Sequence, residues 1–220
     1  MNLTVIPLTG EKKDGKFCFF EELKKILQYN KFIIKNGDVL VISSKFISNS
    51  QGRILEINNS KVCNKAKEIA KKFNSNEKFM EIVFRESDHI LGGVAGFVMS
   101  TTNGILAPNA GIDKSNSKGT KIILYPNEPY NFAEELKRKI FLELNLHVGI
   151  IIVDSRLMPA RIGTTGVAIA CAGIEPTKDL RGEKDLDGNP LKVTFQATAD
   201  NLASIANHEM GEGSDLHPIA

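Results

Sequence analysis

Three acids in this 220-residue sequence stand where a carboxylate can reach out of a fold. Asp113 lies in Asn109-Ala110-Gly111-Ile112-Asp113-Lys114-Ser115-Asn116, a loop of small residues with side chains that coordinate and hydrogen-bond. Asp154 follows the apolar run 150–153, at the carboxyl end of a strand, where ligands commonly bind. Glu212 stands between Gly211 and Gly213, and flanking glycines let the backbone approach a phosphate closely. Carboxylates are hard oxygen ligands of the kind magnesium and manganese prefer, in shells completed by water and substrate phosphate. Three of them from three segments are enough to hold one or two such ions against a triphosphate. Singly, each also reads as a turn or cap residue, because aspartate is common after strands and beside glycine. Spacing alone does not bring the three together.

The elements that must position these acids are legible in part. Residues 3–8 read as a strand, and 21–28 as a short amphipathic helix with Leu23, Ile26 and Leu27 on one side. Gly37-Asp38 turns the chain into a buried strand over 39–44. Asn59 or Ser60 is placed to cap a helix running to Phe73, and a second helix covers 77–85. Gly92, Gly93 and Gly96 mark a turn or a close backbone approach, and Asn103-Gly104 a hairpin between strands 97–101 and 105–107. A strand over 121–125 and a helix over 132–144 lead to 147–154, the strongest strand signal in the chain. Residues 166–172 and 191–197 read as strands, 200–210 as a helix capped by Asp200, and 211–220 as a loop. Helices and strands mix without strict alternation, which predicts an α+β fold. The domain reading is one unit over 1–220, or two intimately packed subdomains.

Composition narrows the partners. The chain is 42% hydrophobic, enough for a real core, and its 28 basic against 26 acidic residues give a formal net charge of only +2. That balance offers no broad field for nucleic acid or an anionic membrane, while local basic clusters can still bind a small anion. No apolar run approaches the ~20 residues of a bilayer span, and the N-terminus lacks a basic stretch and a cleavage site, so a cytoplasmic location is expected. Cys18, Cys63 and Cys171 are odd in number and far apart, and read as reduced thiols in apolar surroundings.

Familiar phosphate and zinc strings are missing. Neither GxxxxGK[ST] nor GxGxxG occurs, so any nucleotide is bound without a standard loop. His208-Glu209-Met210-Gly211-Glu212 starts like a zinc-peptidase helix, but its second ligand position holds Glu212, and Gly211 breaks the helix there. An exposed helix end is the preferred reading of His208 and Glu209.

Several blocks in order resemble the gamma-glutamyl ligases that extend the deazaflavin coenzyme F420. They are Gly37-Asp38-Val39-Leu40-Val41-Ile42-Ser43-Ser44-Lys45 with Gly52-Arg53-Ile54; Asn109-Ala110-Gly111-Ile112-Asp113 with Ser115-Asn116; and Val148-Gly149 through Asp154, then Arg161 and Gly163. A last block holds Asp179, Arg181-Gly182, Asp185, Gly188, Leu191 and Val193-Thr194, followed by Ala199-Asp200 and Met210-Gly211-Glu212. The resemblance implies an α+β fold that is neither a P-loop nor a Rossmann fold, in an intertwined homodimer. It implies a GTP-dependent ligase. GTP phosphorylates the carboxylate of the precursor's phospholactyl tail, the amine of L-glutamate displaces the phosphate, and further rounds build a gamma-linked tail. By position, Asp113 and Asp154 would hold one magnesium or manganese ion, and Ser155 and Glu212 would serve a second, with a monovalent cation as a further ion. Asp113, Asp154 and Glu212 would thus be the catalytic acids. Guanine-nucleotide contacts would fall on Thr9, Gly10, Glu11, Lys12, Ser44, Lys45, Asn49, Asn116, Met210, Gly211, Gly213, Ser214 and Asp215.

Departures from the family pattern cluster at the nucleotide and acceptor contacts. Asn49 stands where the family usually has lysine, Ser155 where it has threonine, and Asn201 where it has glutamate. The Gly-Leu-Pro expected after the first strand reads Gly10-Glu11-Lys12, and 155–161 lacks the usual glycine-arginine pair before proline. Arg161, Arg181, Lys178 and Lys184 are candidates for the acceptor's phosphate and carboxylates. Two alternatives remain open: the same ligation on another acceptor such as a folate, and nucleotide binding without ligase turnover.

Overall fold

The computed structural model describes residues 2–13, 15–59, 61–113, 121–158 and 161–220. The chain divides into two compact units, one made of Met1–Lys12, Phe20–Ser43 and Pro129–Ala220, the other of Lys13–Phe19 and Ser44–Glu128. Helices and mixed sheets combine in an α+β fold, as the sequence predicts.

The first unit is organised by β7 (Gly149–Leu157), the central strand of a three-stranded sheet. It pairs in parallel with β1 (Val39–Ser43) and antiparallel with β8 (Thr164–Ala172). Residues from Gly149 to Val153 are all buried, so this strand is covered on both faces, as a continuous apolar run requires. One cover is α6 (Thr198–Met210), whose Ala199, Ala203, Ala206 and Met210 pack on Val41, Ile151 and Val153. Small alanines let the helix lie close to the sheet, and Gly166 makes the closest approach possible. A Cβ there would come within 2.5 Å of the Ala203 carbonyl oxygen and 2.6 Å of the Asn207 Cβ. α5 (Pro129–Leu144) also packs on β7 and β8. α1 (Phe19–Tyr29) belongs to this unit from Phe20 onward.

The chain ends are tied together where the sequence suggested otherwise. Residues 3–8 form no strand; Leu8 alone bridges to Ile219. The tail, read as a loop, instead runs along β1. Val41 and Ala220 exchange backbone hydrogen bonds of 2.8 and 2.9 Å, and Ser43 N–H donates to Pro218 at 3.0 Å. A lone N-terminal segment cannot be a strand without a partner ladder, and among the described residues the one bridge it makes is Leu8 to Ile219 in this short tail.

The second unit holds α2 (Ser44–Gln51), β2 (Ile54–Glu56), α3 (Asn64–Lys72), α4 (Glu77–Glu86), the sheet β3 (His89–Val94), β4 (Phe97–Thr102) and β5 (Ile105–Pro108), and β6 (Lys121–Ile123), which pairs with β2. The Asn103-Gly104 hairpin is present, with both turn residues at positive φ. The core joins Phe73, Phe79, Met80, Ile82, Val98 and Ile122. Four expectations are corrected. α2 was not expected, because its serines mask it. α3 begins later, capped by Cys63, whose sulfur accepts from Ala66 N–H at 3.4 Å; Ser60 lies outside the described residues. Cys18 and Cys63 are exposed rather than apolar-packed, while partial burial pushes the Cys171 thiol up. In the first unit, the strand expected over 191–197 shrinks to β10 (Phe195–Gln196), paired with β9 (Lys178–Asp179), while Leu191 and Thr194 make isolated backbone hydrogen bonds to the 180–183 segment.

Candidate functional site

Each unit presents an acid of the predicted set on a different kind of support. In the second unit, Asp113 is held by backbone. Asn109, Ala110 and Gly111 take φ of 50, 56 and 67°, a left-handed run that only glycine adopts without cost. Buried polar contacts over-determine it. Asn109 Oδ1 accepts from Val98 N–H at 2.9 Å, Ala110 N–H donates to Ser100 Oγ at 2.9 Å, and that hydroxyl donates to Ala107 C=O at 2.9 Å. Gly111 lies flat on Tyr125, where a Cβ would sit 2.0 Å from the ring. The chain then re-enters regular pairing: Asp113 and Ile123 exchange both backbone hydrogen bonds at 2.9 Å. The Asp113 carboxylate forms an ion pair with Lys45, the second residue of α2. Ser44 beside it is buried, and further along α2 the buried Asn49 Oδ1 finds no hydrogen-bond partner among the described residues. Lys114, Ser115 and Asn116 lie outside the described residues.

In the first unit the acids are held by side chains. β-strand alternation puts Asp154 and Arg156 on one face of β7 and Ser155 on the other. Arg156, 8% exposed, donates Nε to Asp154 Oδ2 at 3.0 Å. On the other face, Glu212 Oε1 accepts from Ser155 Oγ at 2.6 Å, Asn207 Nδ2 at 2.8 Å and Thr164 Oγ1 at 3.1 Å. Glu212 lies beyond α6, which stops at Met210 because Gly211 turns away at φ 77°. The space beside Gly211 is filled: a Cβ would lie 2.3 Å from Asp215 Oδ2, and that oxygen also accepts from Gly213 N–H at 3.2 Å. Asp200, expected as the helix cap, instead accepts from Ala168 N–H at 2.9 Å and pins α6 to β8.

Two of the segments expected to contact a nucleotide are neighbours within this unit. Gly10 N–H donates to Leu216 C=O at 2.8 Å, and Thr9 exchanges hydrogen bonds with the Asn30 amide at 3.0 and 2.8 Å. Glu11, Lys12, Ser214 and Asp215 flank this junction in sequence, with Lys12 and Ser214 exposed. Of the acceptor candidates, Arg181 is already engaged. It meets Asp179 through Nε and Nη2, at 2.9 to 3.1 and 2.7 Å, and stacks 4.5 Å from the Phe195 ring. Those hydrogen bonds hold the Asp179 carboxyl down at about 2. Lys178 pairs with Glu183 at 3.5 Å, and Lys184 and Arg161 are exposed. Sequence reasoning missed Arg156, Thr164 and Asn207. The i, i+2 spacing of Asp154 and Arg156 was a readable signal; no local pattern announces the other two.

Among the described residues no three His, Cys, Asp or Glu side chains gather into one metal-sized group. The donor chemistry still suits a hard cation, because Ser155 and Glu212 already bring oxygens together. An ion of the magnesium type takes much of its shell from water and phosphate. Among the described residues no helix is long and apolar enough to cross a membrane.

Both acid supports fall inside a single family match. Residues 8–220 match the family described as F420-0:Gamma-glutamyl ligase. The Coenzyme F420:L-glutamate ligase of Archaeoglobus fulgidus is 35% identical over 220 residues, 99% of this chain and 86% of that one. The ligase of the same name from Methanocaldococcus jannaschii is 36% identical over 209 residues, 94% and 81% of the two chains. That of Methanopyrus kandleri is 32% identical over 186 residues, 84% and 74%. The chain therefore belongs to the gamma-glutamyl ligase family, a family of ligases.

Proposed function

We propose that this chain is a GTP-dependent ligase that joins L-glutamate to the phospholactyl carboxylate of the deazaflavin F420 precursor, then extends the tail through gamma linkages. The observation that carries the reading is a family match spanning 8–220, which takes in Asp113, Asp154 and Glu212 together. In the first step a carboxylate oxygen of the precursor attacks the γ-phosphorus of GTP, and GDP leaves. In the second, the glutamate amine attacks the acyl carbon, phosphate leaves, and the amine gives up its proton. Asp113, Asp154 and Glu212, with Ser155, would hold magnesium or manganese, which when bound neutralises charge on the transferring phosphoryl group. The chain's own part is positioning. Lys45 brings a cation beside the Asp113 carboxylate, and Arg156 orients Asp154. The junction of Thr9 and Gly10 with the 210–217 segment would carry the guanine nucleotide. A homodimer belongs to this reading, since Ile162, Leu186 and Val193 stand exposed and a second copy would cover such side chains.

A specific observation keeps a second reading in view: Asn49 offers no cation where the family usually has lysine, which favours nucleotide binding without turnover. One assay separates the readings. The protein is incubated with GTP, magnesium or manganese, L-glutamate, and deazaflavin precursor or tetrahydrofolate, and products are weighed by mass spectrometry. One added glutamyl unit on the deazaflavin supports the proposal; addition to the folate alone moves the chemistry to another acceptor. GTP binding with no amide product on either would end the ligase reading. Asp113→Asn, Asp154→Asn and Glu212→Gln are each expected to remove most turnover while circular dichroism stays native.

A further inference from the structure

We infer that Asn207 and Thr164 are positioning residues that hold the Glu212 carboxylate against Ser155. The inference rests on the proposed role of Glu212. That residue lies on a segment with no helix or strand of its own, between two glycines, and it is exposed. A side chain so placed has several rotamers and no packing to choose among them. What chooses here is a convergence of three elements on one oxygen. Ser155 comes from β7, Thr164 from β8 and Asn207 from the last turns of α6, all donating to Oε1. A carboxylate oxygen has two lone pairs, so three donors saturate it and share it. Among the described residues Oε2 accepts nothing, and the clamp therefore turns one oxygen inward and leaves the other for a ligand.

Neither partner can do the chemistry itself. An amide and a threonine hydroxyl do not titrate near neutrality, and both bond the acid rather than any space beyond it. Their value is orientation, the service that residues behind a ligand commonly perform. Gly166 makes the arrangement possible, because any Cβ there would strike Asn207 and the Ala203 carbonyl and lift α6 from β8. Ser155 is shared between the clamp and its proposed ligand role. Asn207 and Thr164 keep Glu212 in place when the serine hydroxyl turns to a ligand.

The test uses the full-length protein and Mn2+, alone and with GDP, with binding read by the loss of the free-ion electron paramagnetic resonance signal. Asn207→Ala and Thr164→Val are each expected to weaken Mn2+ binding about tenfold, the lower end for residues behind a ligand, with an unchanged melting temperature. Thr164→Ser keeps the hydroxyl and is expected to bind as the parent does. Wild-type Mn2+ affinity in both Asn207→Ala and Thr164→Val, beside weakened binding in Glu212→Gln, overturns this inference alone. Wild-type affinity in Glu212→Gln overturns the role of Glu212 and the inference with it.

Discussion

Asp113, half-buried, and Glu212, exposed, are held in place by opposite means. Asp113 stands on a shelf of three left-handed residues, locked by the buried Ser100 hydroxyl, the Asn109 amide and the Tyr125 ring, and its own N–H and C=O both pair with Ile123. Glu212 stands on a glycine-flanked turn, and among the described residues it is held by side chains alone. The first arrangement is part of the core of its unit, so its position cannot be lost without loss of stability. The second is a surface network, and exposed hydrogen bonds contribute little to folding because water replaces them. The difference teaches where each acid's precision comes from: backbone strain over-determined by burial in one unit, convergent donors in the other.

The largest expected effect breaks the shelf. Gly111→Ala places a methyl group 2.0 Å from the Tyr125 ring, at a φ of 67° that alanine resists. Overpacking and left-handed strain together cost about 3 kcal/mol or more, which lowers the melting temperature by roughly 10 °C in a chain of this size. A melting temperature within a few degrees of the parent would show that Tyr125 yields and that the shelf is softer than drawn. Ser100→Ala is the next largest. It leaves Ala110 N–H without its acceptor in the core, at a cost of about 1–3 kcal/mol, read in the same calorimetric scan. Gly166→Ala carries the comparison to the other unit. It is expected to lower the melting temperature by only about 2–5 °C and to weaken Mn2+ binding as Asn207→Ala does, since α6 is lifted with its amide. A large stability loss with intact Mn2+ binding would place the precision of Glu212 elsewhere.

How much of this was legible follows the same division. The β7 run, the Asn103-Gly104 hairpin and α4 were read correctly, because apolar periodicity and turn chemistry are local. α2 escaped because Ser44, Ser48 and Ser50 look like loop residues; burial against the unit, not propensity, makes that segment helical. The Asn109-Ala110-Gly111 loop was recognised as special, yet nothing in one sequence says that Tyr125 and Ser100 lock it, since those contacts are made across the fold. Glu212 was singled out from its glycines and from family resemblance. Its clamp was not found, because Ser155, Thr164 and Asn207 lie 57, 48 and 5 residues away and meet only after α6 settles on β8.

The smallest expected effect asks whether any exposed side-chain network in this protein contributes to stability. Asp179 and Arg181 make a well-formed exposed pair, bidentate and stacked on Phe195. Hydrogen bonds from Arg181 lower the Asp179 carboxyl from 3.8 to about 2. A depressed acid contributes whatever stability it has above its unfolded pKa, near 3.8, and loses it as pH falls through about 2. Both side chains are about half exposed, so solvent screening removes most of that contribution, and Asp179→Asn is expected to melt with the parent at pH 7. If the parent instead melts more than about 3 °C higher at pH 7 and the gap closes at pH 2, an exposed pair does stabilise the fold. The Glu212 clamp would then have to be credited with stability too, and its separation from the Asp113 shelf would narrow to one of degree.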